Sequence, residues 1–265
     1  NQKTLDEQRA VVKNEKRQKE NNTYGEVYDI KQEGLYPEGH PYRHSPIGKM
    51  ADLNAATLDD VESWYKKYYG ASNTILVLTG DISVEKAKQL TKKYFSHVKP
   101  GPAIHRVKAN YPRKTTPVFE ELELPIKKPS INRVWSVPGN SDKETLFLQI
   151  ATSYLTENKE APLTKALVGS GLAKSVRFMV EKEEIAGRIN LDVNFNNLGD
   201  QKQIQQVISQ QFNKFVKKGI SKKKLAAIKK RMLLGLSRNL EAIQSKTTYL
   251  AEAELYQNDP SFYRT

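Results

Sequence analysis

Few side chains in this sequence are able to do chemistry. There is no cysteine, which excludes disulfides, thiolate nucleophiles and Cys-ligated zinc. The four histidines are His40, His44, His97 and His105. His40 and His44 have the four-residue spacing of a helical metal pair, but Pro41 opposes a helix there, and Arg43 stands where an inverted metal-binding motif needs Glu. Loop structure is therefore expected over zinc binding. The remaining candidate is Glu15. If residues 4–19 form a helix, Gln8, Val11, Val12 and Glu15 share one face, because steps of three, four and seven return to the same side. A carboxylate facing an interior must be paired with a cation, bonded to backbone donors or bound to a metal, and the ion pair is the commonest of these; the alternative is a face partly open to solvent.

The elements that must position these residues follow from periodicity and caps. Thr4-Leu5-Asp6-Glu7 has the form of a capping box, so a helix is expected from Thr4 to about Lys19, broken by Asn21-Asn22-Thr23-Tyr24-Gly25. A shorter helix precedes Gly34 and Pro37, and residues 36–56 read as a long irregular stretch. Thr57-Leu58-Asp59-Asp60 opens a helix through Trp64 and Tyr68. The run 74–79 then reads as a strand buried on both faces, and a helix follows over about 83–95. Prolines and Gly101 make 98–117 a linker. Beyond it, 118–124 and 131–137 have strand character, and Ser141-Asp142-Lys143-Glu144 opens a helix to about Leu155. Alternation predicts two paired strands, one through Val176, Phe178 and Val180, the other through Ile189, Leu191, Val193 and Phe195. Helices over about 200–217 and 221–240, with a continuation over 249–256, finish the chain. The fold class is α+β.

At 265 residues the chain fits one large domain or two ordinary ones, and two is the better expectation. No run of 18 apolar residues appears and no basic-then-apolar leader opens the sequence. The first residue is Asn, almost directly before a helix start, and an excised segment is expected, with any targeting sequence upstream. The net charge is +13 and the basic residues are spread widely. The densest cluster, Lys217, Lys218, Lys222, Lys223, Lys224, Lys229, Lys230 and Arg231, reads first as a solvated helix face. Nucleic-acid binding would rest on charge alone, since no recognised motif accompanies it.

The segment Gln8-Arg9-Ala10-Val11-Val12-Lys13-Asn14-Glu15-Lys16-Arg17-Gln18 resembles the helix that supplies the third zinc ligand in bacterial insulinase and pitrilysin-type peptidases. The likeness continues through Tyr24-Gly25, Gly39-His40-Pro41-Tyr42-Arg43, Pro46-Ile47-Gly48, Tyr68-Tyr69, Asn73-Thr74 and Val77-Leu78-Thr79-Gly80-Asp81, in the family's order, over about residues 4–100. The resemblance implies a zinc ion held by two histidines of an upstream His-x-x-Glu-His helix and by a later glutamate, with the Glu of that motif as general base. It makes Glu15 the third ligand. Gln8 departs from the acidic residue frequent at that position. The His-x-x-Glu-His motif is absent, so no catalytic residue lies in this chain.

Residues 117–265 resemble, more loosely, the family's second domain, which repeats the first without its catalytic residues. If Val12 corresponds to Leu233, Glu15 falls opposite Leu236, which cannot ligate metal. The terminal Asn258-Asp259-Pro260-Ser261-Phe262-Tyr263 looks like the approach to a further helix and strand. The implied organisation is two consecutive peptidase-like domains, each an antiparallel-rich sheet with helices on one side: 1–112 as the C-terminal half of a catalytic-type domain, and 113–265 as part of a non-catalytic one. The implied function is a zinc metalloendopeptidase that hydrolyses peptides or small proteins in a closed chamber. This chain alone is expected to be inactive and without zinc. Expected partners are the peptide substrate and the remaining domains or a homologous subunit, with no specific nucleic acid. The alternative is a non-catalytic relative that forms a chamber wall or scaffold. Relatives with this bacterial pattern favour the periplasm, though no signal is visible.

Overall fold

Capping and periodicity set most elements of the structure, a computed structural model that describes residues 1–126, 128–140 and 142–264, the side chain of Tyr263 excepted. The helices are α1 (Gln2–Glu20), α2 (Gly25–Leu35), α3 (Met50–Ala55), α4 (Leu58–Tyr68), α5 (Val84–Phe95), α6 (Lys143–Thr156), α7 (Pro162–Leu167), α8 (Gln201–Lys218), α9 (Lys222–Glu241) and α10 (Ile243–Gln257). The strands are β1 (Ser130–Pro138), β2 (Ser175–Glu181) and β3 (Ala186–Asn194). Helix α1 starts two residues before the expected Thr4. The Asn1 carboxamide oxygen accepts from the Thr4 N–H at 3.0 Å, which makes Asn1 the cap and moves Thr4 into the first turn. At α4 the expected box forms in full: Thr57 accepts from the Asp60 N–H at 3.2 Å, and the Asp60 carboxylate accepts from the Thr57 N–H at 2.8 Å. Ser141 lies outside the described residues, so the box expected there is untouched; Asp142 caps α6 by accepting from the Glu144 N–H.

The described residues fall into two compact units, 1–16 with 47–107 and 233–265, and 17–46 with 108–232. Neither is one continuous stretch.

The second unit contains the sheet, antiparallel throughout, in the order β1-β3-β2. Alternation along the central strand sorts its side chains. Leu191 and Val193 meet Leu155 of α6, Leu163 and Leu167 of α7, and Ile204 and Ile208 of α8 in the main core. The opposite face carries Arg188, Asn190 and Asp192, which meet Gln32 and Lys31 of α2. The expectation of helices on one side is corrected here. Strand β3 is buried on both faces because α2 covers the side left by α6 to α8. The turn between β2 and β3 presses on the β1 exit. A Cβ at Gly139 would sit 2.2 Å from the Glu184 carbonyl oxygen, so only glycine fits.

In the first unit the expected strand over 74–79 forms no regular element, no strand pairs with it among the described residues, and Ile75, Leu76 and Leu78 are 41%, 48% and 46% exposed. A strand is defined by its neighbour, and propensity alone does not supply one. The same holds in the second unit for 118–124, where Phe119 is 86% exposed. Helix α7 lies between the helix expected to end near Leu155 and the strand expected at Val176, and Ala253 is the buried residue of α10. Among the described residues, no helix is long and apolar enough to cross a membrane.

Candidate functional site

Glu15 lies near the end of the α1 segment of the first unit and is exposed, as is Val11 at 58%. The face expected to turn inward is rotated. The covered stripe runs Leu5, Arg9, Val12, Lys13 and Lys16, again in helical steps, with Lys16 buried at 6% exposure. Arg9 explains the rotation, since its guanidinium donates to the Asp6 carboxylate at 2.6 Å and to the Ala56 carbonyl at 2.5 Å, drawing that side onto the chain before α4. Among the described residues no three of His, Asp and Glu come together in a group able to hold a metal ion. Zinc needs three protein ligands in an open tetrahedral site, and one exposed carboxylate does not fit it alone.

The histidine pair separates. His40 is buried at 7% exposure, stacked on Tyr36 with ring centroids 4.5 Å apart, and its Nδ1 accepts from the Tyr42 N–H at 3.1 Å. Burial holds its pKa below the ordinary 6.5, and the backbone of Asn110 offsets only part of this. His44 is exposed. The loop is built for packing: Arg43 donates to the carbonyls of Glu33 at 2.7 Å and Tyr36 at 2.6 Å, closing the C-terminal end of α2.

The largest set of buried polar groups lies between α2 and β3, where the sequence offered no motif. Arg188, 8% exposed, donates from Nε to Glu181 at 2.6 Å, from Nη2 to Glu183 at 2.9 Å and from Nη1 to the Gln32 carboxamide oxygen at 2.7 Å. Gln32 in turn donates to the Tyr42 carbonyl at 2.7 Å, and the Tyr42 hydroxyl accepts from the Ile185 N–H at 3.2 Å. Burial raises the Glu183 pKa, with Arg188 acting against it, and burial likewise raises that of the Tyr36 phenol. The donors of Arg188 and Gln32 bind α2, the loop at 40–43 and the β2–β3 turn together, which is a clamp rather than a reaction centre. Its signal was available. Once Ile189, Leu191 and Val193 are assigned to one face, Arg188, Asn190 and Asp192 must occupy the other.

An α+β unit of this kind with no complete metal site has a match among known families. Residues 55–232, more than half of the chain, match the family described as the peptidase M16 inactive domain. The chain belongs to the M16 peptidase family. Glu15 lies upstream of the matched residues. Among curated proteins, the M16 chain is 28% identical over 141 residues to the zinc protease PqqE of Helicobacter pylori, a match covering 49% of this chain and 30% of that protein. Among solved structures, a protease from Helicobacter pylori superposes with a TM-score of 0.76 at 23% identity, over 98% of this chain and 63% of that one. A peptidase M16 inactive domain from Pseudomonas fluorescens gives 0.79 at 18% identity, over 100% and 62%. This M16 chain therefore spans under a third of the curated relative and under two thirds of those solved chains.

Proposed function

We propose that this chain is part of a zinc-dependent metalloendopeptidase that hydrolyses peptides or small proteins in a closed chamber, and that it is inactive by itself. The observation that carries the proposal is the match of residues 55–232 to the M16 inactive domain, together with a curated zinc protease relative of greater length. Glu15 is then one zinc ligand, completed by an upstream His-x-x-Glu-His helix that also brings the general base. Residues 1–112 form the C-terminal half of the catalytic-type domain and 113–265 the peptidase-like domain that follows. The exposed apolar run at Ile75, Leu76 and Leu78 supports an incomplete first domain, because a β-rich segment left in water lacks the neighbours it was selected to pair with.

A second reading is a non-catalytic family member that forms a chamber wall. It is favoured by the exposure of Glu15. Zinc content of an upstream-extended form, as wild type and as Glu15→Gln, separates the two. One zinc per chain in wild type, much reduced in the variant, supports the peptidase. No zinc in either supports the wall, and equal zinc in both makes Glu15 a structural carboxylate.

A further inference from the structure

Two residues of the basic cluster expected as a solvated helix face, Lys218 and Lys224, line a cleft. In the second unit a cavity of about 420 Å³ opens between the end of α6, α7, the last turns of α8 and the start of α9. Its floor is apolar, made by Tyr154, Leu155, Pro162, Ala166 and Phe215, with the Tyr154 and Phe215 rings 5.6 Å apart. Its rim carries Lys165, Lys214, Lys218 and Lys224. Gly219, at φ 62°, turns the chain directly from α8 toward α9 and so brings Lys218 and Lys224 to the same opening.

The charge on this rim is only partly compensated. Glu160 pairs with Lys165 at 2.7 Å, and that hydrogen bond and charge, with a smaller electrostatic contribution from Lys224, lower the Glu160 pKa. Lys224 lies over the Tyr154 ring with Nζ 5.3 Å from its centroid. Among the described residues Lys214, Lys218 and Lys224 form no ion pair with a carboxylate. Converging ammonium groups repel one another, and an anion between them relieves that cost. A cleft of this size with an apolar base and a few charged groups at its mouth has the form of a ligand site.

We propose that this cleft docks a short peptide segment in which acidic side chains flank an apolar or aromatic one. The carboxylates meet Lys214, Lys218 and Lys224, and the apolar side chain lies on Tyr154 and Phe215. A phosphate ligand suits the site less well. Its donors are lysines on flexible stems, with no guanidinium fork and no glycine-rich backbone cradle to fix a phosphate, whereas the apolar floor gives a bare phosphate nothing to cover. The proposal depends on the peptidase reading only for calling the peptide a substrate; docking itself is measured on this chain without zinc or cleavage.

The test is fluorescence anisotropy of the full chain with a labelled Asp-Phe-Glu-Leu-Asp peptide, its Asn/Gln amide counterpart and a Lys-Phe-Lys-Leu-Lys peptide. The acidic peptide should bind, and Lys214→Gln with Lys218→Gln should weaken it about tenfold, whereas the same change of net charge at Lys222 and Lys229 should cost about twofold or less. Lys214→Glu with Lys218→Glu should instead gain binding of the basic peptide. Equal losses from the two glutamine pairs would reduce the effect to diffuse charge and overturn the proposal. So would equal binding of the amide peptide. Inorganic triphosphate or a short oligonucleotide that binds more tightly, with the same dependence on Lys214 and Lys218, would assign the cleft to phosphates instead.

Discussion

His40 shows how a residue of metal-ligand type becomes a structural one. Stacked on Tyr36 and accepting from the Tyr42 N–H, it is held neutral by burial. Its folded pKa is below the unfolded 6.5, so just below that pH the unfolded chain binds more protons, and stability rises with pH. The contribution is complete above about pH 6.5 and lost as pH falls below it. Urea titrations of the second unit at pH 7.5 and 5.5 should show this loss, and His40→Asn should shrink the difference between the two. Arg188 makes a larger case. Arg188→Met leaves Glu181 and Glu183 facing each other without their cation, and should cost about 3 kcal/mol, toward the low end for a broken buried pair because Glu181 is 38% exposed. If the melting temperature of Arg188→Met equals that of wild type, the clamp contributes nothing. Glu15 could be numbered from the sequence, but the direction it faces could not, because Arg9 and its bond to the Ala56 carbonyl set the rotation of α1.

Among the elements, caps and periods located the helices well, and the strands only where both partners were present. The β2–β3 pairing follows from period-two alternation with the apolar positions Val176, Phe178, Leu191 and Val193 facing the helices. Propensity made equal claims for 74–79 and 118–124, and neither has a ladder among the described residues, since hydrogen bonding is a property of the pair. The β1 exit gives a sharp test. Gly139→Ala drives a methyl onto the Glu184 carbonyl and should destabilise the second unit by about 2 kcal/mol, read by denaturant melting. Leu191→Ala empties the centre of the main core, where the side chain is fully buried, and should cost about 3 kcal/mol in the same measurement.

Over the whole chain, the exposed side chains of Trp64, Tyr65, Tyr69, Leu76 and Leu78 leave the first unit with an apolar surface that water does not favour. The isolated chain should therefore associate with rising concentration in sedimentation velocity, and Leu76→Lys with Leu78→Lys should reduce that association; monomeric behaviour at high concentration would show that the surface is tolerated. The sequence by itself determined the α+β class, the order of most helices, the pairing of the last two strands and the likeness to a zinc peptidase family, because caps, alternation and ordered motifs are local signals. Only the tertiary structure decided that His40 is buried and His44 is not, and that Glu15 faces outward. The same is true of Arg188, which clamps a two-faced sheet, and of the lysines of α8 and α9, which share a cleft with Lys165 and Tyr154. Those outcomes depend on which surfaces meet across long separations in sequence, and a one-dimensional pattern carries no record of that.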